Sequence, residues 1–198
     1  MRTKIPGRQK VDAAAMRVIG QKGFAEATTQ EIARAAGVSE GLIFRYYKTK
    51  HEMGLELFRK HHHEILTRLQ EIGATQTDPL ERVRYVGKEF YRWFDENRDV
   101  AQFLIRTHHD FLEKVTESQG FTLMTNAALK DVLGEMLFLL FPSDILSAML
   151  VGALLQVCVE CMHGHIQGPI APRMEPIIDV MVGLLAQSRG EQDGASAK

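Results

Sequence analysis

Cysteine is nearly absent: residues 158 and 161 are the two in a chain of 198. Such a pair does not suggest a structural disulfide in a cytoplasmic protein. A bilayer-crossing run is missing as well. The longest apolar stretch, residues 145–159, contains Ser147 and Gln156 and falls short of the roughly 20 residues that a span needs. The first residues, Met1-Arg-Thr-Lys-Ile-Pro-Gly-Arg8, are polar and basic, so no targeting segment is expected. These absences predict a soluble, cytoplasmic protein with no membrane partner. Period-2 strand patterning and internal repeats are missing too, which leaves helices. There is no Gly-rich phosphate loop, no nucleophile elbow and no carboxylate pair framed by a catalytic motif. The expectation is therefore no enzyme, no cofactor and no resident metal.

Net charge is also nearly absent, at −1, but it is unevenly distributed. Residues 1–50 hold ten Lys or Arg and four acids, a balance of +6, while the remainder holds 14 basic and 21 acidic residues. Basic charge confined to one module is the footprint of a polyanionic partner. An acidic remainder would be repelled by the same partner, which helps orient the basic end.

What is present sits in residues 28–48. Thr28-x-x-Glu31 forms a capping box, and Gly37 stands where the chain must turn. Ile32, Ala33 and Ala36 form an apolar face against which Val38, Leu42 and Ile43 can pack. The second short helix carries Arg45, Tyr46, Tyr47 and Lys48, residue types suited to phosphates and base edges. Two short helices joined by a tight turn, the second bearing this chemistry, match a helix-turn-helix that enters a DNA major groove. Thr49-x-x-Glu52 repeats the capping device, and Val11, Ala14, Ala15, Val18 and Ile19 mark a helix upstream. A compact three-helix head is predicted.

Gly23-Phe24, Thr28-Thr29, Ile32-Ala33, Ala36-Gly37-Val38-Ser39, Gly41, Tyr46-Tyr47-Lys48 and Lys50 stand at the spacing of the tetracycline-repressor (TetR) family, which the chain resembles over residues 10–55. The resemblance implies a dimeric bacterial transcriptional regulator that binds operator DNA and a small-molecule effector. It places Thr28, Thr29, Ser39, Glu40, Gly41, Leu42, Arg45, Tyr46, Lys48 and Lys50 at the DNA. Thr29, Tyr46, Lys48 and Lys50 are expected on phosphates. Arg45, Glu40 and Leu42 are expected on base edges, as guanine, cytosine and thymine-methyl contacts respectively; a helix-stabilising role for Glu40 is the alternative. Three positions depart from the family pattern. Phe44 stands where tyrosine is frequent, Glu40 where lysine is, and Leu42 where a small polar residue is, so no relative's operator can be assumed.

The expected architecture is all-α. Residues 1–50 form the DNA-binding head, 51–188 a helical effector-binding and dimerisation domain, and 189–198 a disordered tail. Helices are predicted from Lys50 to Ile72, after the Asp78-Pro79 cap, after Asn97, over Phe121 to Phe141, from Ser143 to about His163, and from Met174 to Gln187. Pro169 and Pro172 are expected to bound a loop. The last two helices are apolar nearly all round and are expected to pair with their copies in a homodimer. Phe90, Trp93, Phe94, Phe103, His108, Phe111 and Met162 are candidate ligand-lining residues for a largely apolar effector, against the plainer reading that such a stripe is core. Cys158, Cys161, His163 and His165 carry the alternative, a metal- or thiol-sensing regulator, against simple packing of cysteines in an apolar helix.

Overall fold

The computed structural model describes residues 6–119 and 143–195. Among them all regular structure is helical: α1 (Pro6–Lys22), α2 (Thr29–Ala36), α3 (Glu40–Tyr46), α4 (Lys50–Ala74), α5 (Pro79–Glu96), α6 (Arg98–Gln119), α7 (Ser143–Met162) and α8 (Ala171–Ala195). The helix expected over Phe121–Phe141 lies outside the described residues. Cap chemistry sets several of these boundaries. Asp78 Oδ1 accepts from the Leu80 amide at 2.7 Å and the Glu81 amide at 3.3 Å, so α5 opens with Pro79 in its first turn, where a missing N–H costs nothing.

Two compact units emerge, and they do not divide at residue 50. The first takes residues 1–65 and 97–121, the second 66–96 and 122–198. In the first, α6 joins the head by packing along α1. Gly20 permits this: a Cβ there would stand 3.1 Å from the Phe103 amide nitrogen. Val11, Ala14, Ala15 and Ile19 of α1 are buried, with Ile32, Ala33 and Ile43 from α2 and α3. Each isoleucine so buried contributes on the order of 1.5–3 kcal/mol, which holds helices too short to persist alone.

In the second unit α5 packs on α8. Gly87 lies under Ile178, whose Cδ1 would be 3.3 Å from an added Cβ. Arg84 and Lys88 pair with Asp179, and Arg92 with Glu175. Asp95 Oδ2 accepts from the Ile170 and Ala171 amides, both at 2.8 Å, and so caps α8 from α5. The Tyr91 hydroxyl donates to the Leu154 carbonyl of α7 at 3.3 Å.

Two expectations at the C-terminal end need correction. α8 begins at Ala171, so Pro172 belongs to its first turn rather than to a loop; proline is tolerated there for the reason given for Pro79. The helix also continues to Ala195, past the expected start of a disordered tail at 189. Glu191, Gln192 and Ala195 are adequate helix formers, and no proline follows Pro176 to stop them.

Candidate nucleic-acid interface

The head is assembled from local signals. Thr28 is extended (φ −106°, ψ 152°); its hydroxyl accepts from the Glu31 amide at 3.2 Å, and Glu31 accepts from the Thr28 amide at 3.1 Å. Glu31 also pairs with Lys22 of α1. The Lys22 ammonium and the Thr28 donors together hold the Glu31 carboxyl down at about 2. Gly37 ends α2 in the left-handed region (φ 67°), a conformation that glycine adopts without a Cβ penalty. α3 then leaves at the angle that buries Ile43 and exposes Gly41, Phe44 and Arg45.

The far end of α3 is anchored by Tyr47, which is fully buried. Its hydroxyl donates to Asp12 Oδ1 at 2.6 Å and accepts from the Arg8 guanidinium at 3.3 Å. Arg8 also lies 4.9 Å from the Tyr47 ring centroid and pairs with Glu56 of α4. Burial raises the Asp12 carboxyl and the Tyr47 phenol above their ordinary values. The predicted capping box at α4 is present in altered form. Thr49 Oγ1 accepts from the Glu52 amide at 3.0 Å, but Glu52 reaches back to the amide of Lys48, at 2.7 Å, instead of that of Thr49.

Where α2, α3 and α4 begin or end together, an open concavity of about 430 Å³ is lined by Thr28, Thr29, Phe44, Lys48, Thr49 and Lys50, with Ala25 and Ala27 at its edge. Four of the residues expected at DNA thus come together: Thr28, Thr29, Lys48 and Lys50. Phe44, Thr49, Ala25 and Ala27 join them without having been expected there. In sequence Thr49 signals only a cap, and alanines carry no signal of their own. The Lys48 ammonium on this rim is anion-binding chemistry, while the Thr28 and Thr29 hydroxyls beside it donate to Glu31 and Glu40.

The remaining expected residues are placed differently. Ser39, Gly41 and Arg45 are exposed. Glu40 is half-buried and accepts from the Thr29 hydroxyl, so it braces α3 against α2. Leu42 and Tyr46 face the start of α1: a Cβ on Gly7 would stand 2.8 Å from the Tyr46 hydroxyl and 3.6 Å from Leu42 Cδ2. The Lys50 ammonium donates to the carbonyls of Phe24 and Ala27, both at 2.8 Å, and of Ala25 at 3.4 Å.

The candidate ligand-lining residues are divided between the units. In the first, Phe103 and Phe111 are fully buried and His108 half-buried. Phe111 belongs to an aromatic cluster, with ring centroids 4.9 Å from Phe24, 5.5 Å from His51 and 5.8 Å from Phe58. In the second, Phe94 is fully buried, while Phe90, Trp93 and Met162 are half-buried.

The cysteine–histidine segment is not arranged as a ligand set. Cys158 is fully buried, with its sulfur 3.6 Å from the Leu154 carbonyl one turn earlier. His165 Nδ1 lies 2.7 Å from Glu160, on the exposed side. Among the described residues no three His, Cys, Asp or Glu side chains stand where they could hold a metal ion. No helix among them is long and apolar enough to cross a membrane.

Residues 13–57 match the model of the bacterial regulatory proteins, tetR family. The fatty acid metabolism regulator protein of Bacillus subtilis (strain 168) is 31% identical over 71 residues, 36% of this chain. The chain spans little more than a third of that relative's length, 37%. The fold is shared more widely. The fatty acid degradation regulator FadR from Bacillus halodurans superposes with a TM-score of 0.71 at 18% identity, over 92% of this chain and 97% of that one. FadR from Bacillus subtilis in complex with stearoyl-CoA gives 0.70 at 18% identity, over 88% and 97%.

Proposed function

We propose that this chain, whose residues 13–57 match the model of the bacterial regulatory proteins, tetR family, is a ligand-responsive repressor. It would bind a palindromic operator as a homodimer and release it when a small, largely apolar effector binds. The observation that carries the DNA-binding part is the concavity shared by α2, α3 and α4, with Lys48, Thr28 and Thr29 on its rim and exposed Arg45 nearby on α3. The rim suits a backbone phosphate, which fixes register, while Arg45 is left to read a base edge.

The homodimer is supported by α8. Ile177, Val180 and Met181 are exposed on the single chain, at 49%, 64% and 44%, and Gly152 and Ala153 of α7 are exposed too. Small residues beside uncovered aliphatic ones suit close packing against a second copy. Two heads then meet half-sites about 34–36 Å apart, or a multiple of that, on one face of the duplex.

Lys48→Ala tests the DNA reading. Affinity is expected to fall for every sequence, and the slope of log K against log salt to flatten by about one unit, as one phosphate contact is lost. Unchanged affinity and slope in a fluorescence titration would show that this face does not meet DNA.

The effector acts only through its preference for the DNA-free form. The Bacillus subtilis FadR structure holds stearoyl-CoA, which makes long-chain acyl-CoA the first compound to try. Operator must weaken effector binding by the same factor by which effector weakens operator binding. Calorimetric titration with and without operator measures that factor, and equal affinities would exclude the compound as the inducer.

A further inference from the structure

We infer that Lys50 is a positioning residue, which latches the α1–α2 loop and thereby sets Thr28 and Thr29 at the phosphate seat, making no phosphate contact of its own. This inference rests on the DNA-binding reading above. A lysine ammonium has three protons and no acceptor. Three loop carbonyls, those of Phe24, Ala25 and Ala27, converge on it at 2.8, 3.4 and 2.8 Å. The ammonium also lies 4.6 Å from the Phe24 ring centroid, a distance at which the ring face attracts a cation. Its donor capacity is therefore committed inside the protein.

The latched loop is the segment that matters for binding. α1 ends at Lys22, Gly23 follows with φ 91°, and the carbonyls of residues 24–27 belong to no helix ladder. Ala25 and Ala27 line the concavity themselves, and Thr28 opens α2 immediately after them. Lys50, at the first position of α4, ties that loop down from 23 to 26 residues away. Lys48, two residues earlier, lines the same concavity from an exposed position. Two lysines that look alike in sequence thus play different parts. Lys48 faces the anion, and Lys50 shapes its seat.

The two roles differ in salt dependence. Losing a cation–phosphate contact lowers the slope of log K against log salt by about 0.9. Losing alignment of the uncharged start of α2 lowers affinity with little change in slope. The test compares wild type, Lys48→Ala and Lys50→Met by fluorescence titration of a labelled duplex, selected from random sequence, over a range of salt. Folding of each variant is checked by circular dichroism at the titration temperature.

Lys50→Met is expected to weaken binding roughly tenfold, the loss of about one hydrogen bond to a charged group, with the wild-type slope retained. Amide hydrogen exchange should quicken at residues 28–31 and stay protected in α3. A slope lowered by about 0.9 with unchanged exchange would make Lys50 a phosphate ligand and overturn the inference alone. Unchanged affinity of the folded variant would reduce Lys50 to a stabilising contact and overturn it too. If Lys50→Met does not fold, Lys50→Gln keeps an amide donor for the carbonyls without the charge, and the same slopes decide. Absence of salt-dependent binding by the wild type would overturn the DNA-binding reading itself.

Discussion

Replacing Phe111 with alanine is expected to cost the first unit about 3–5 kcal/mol, the range for deleting a buried phenylalanine ring. The ring is fully buried among Phe24, His51 and Phe58. It also closes on α4 so tightly that a Cβ on Gly54 would stand 2.6 Å from its Cζ and 2.8 Å from Phe24 Cε2. A cavity left there cannot be filled by the backbone of α4, which already touches the cluster. Because Phe24 opens the loop that precedes Thr28, DNA affinity should fall along with stability. Urea unfolding gives the stability, and a loss below about 1 kcal/mol would show that the cluster relaxes around the gap. The sequence pattern alone makes Phe111 a candidate for an effector pocket; a loss confined to effector affinity, with stability intact, would return it to that role.

Acid should loosen the same unit well before it reaches the carboxylates. Burial lowers the imidazoles of His61, His62 and His108, and His62 comes down to about 4 with help from the charges of His108 and His63. Lys60 adds to the lowering at His61, where Glu64 opposes it, and His109 adds to that at His108. The fold thus prefers these rings neutral, whereas the unfolded chain protonates them near 6.5. Between about pH 6.5 and 4 the unfolded state binds more protons, so stability is complete above that window and drains as pH falls through it. His62 alone would remove on the order of 1–2 kcal/mol at pH 5 once solvent screening is allowed for. Glu31, held at about 2, contributes stability that is lost only lower, between 4.5 and 2. Asp12, raised by burial, works in the opposite direction to Glu31. Urea midpoints at pH 7.5 and 5 check the prediction, and a His62→Phe variant should show a smaller difference between them. Equal midpoints for wild type would mean that the rings are solvated in solution.

Features carried by spacing alone can be read directly from the chain. The Thr28–Glu31 box, the Gly37 turn and the Asp78 cap each involve residues within four positions of one another, and all three are present in the fold. So is the stripe of Val11, Ala14, Ala15 and Ile19, because helical periodicity marks a face whatever covers it. What covers it is not legible. Nothing in the pattern of α6 says that its aromatics meet α1 and α4 rather than an effector, so Phe103 and Phe111 read from sequence as ligand-lining. Lys50 has the same limitation. A lysine beside a basic motif reads as a phosphate contact until the carbonyls more than twenty residues upstream are seen to occupy it. The proline signals mislead through position. Pro172 reads as the edge of a loop, yet it falls in a first turn, where the missing donor is harmless.

The charged pairs between α5 and α8 have a mechanical consequence. Arg84, Lys88 and Arg92 are spaced one turn apart, and their partners Asp179 and Glu175 run the other way along α8. A slide of α8 by one residue would need a rotation of about 100° to follow the helix, turning both acids away from their cations. A slide of one full turn, about 5.4 Å, brings an acid back onto the cationic row. Intermediate positions lose those pairs, and Ile178 seated over Gly87 penalises them as a tooth in a notch does. At one end, the Asp95 carboxylate on the first amides of α8 acts as a stop. Even a full-turn slide would lift Ile178 out of the one glycine notch of α5 and strip the Asp95 carboxylate from its amides, so the helix is held at a single register along its neighbour.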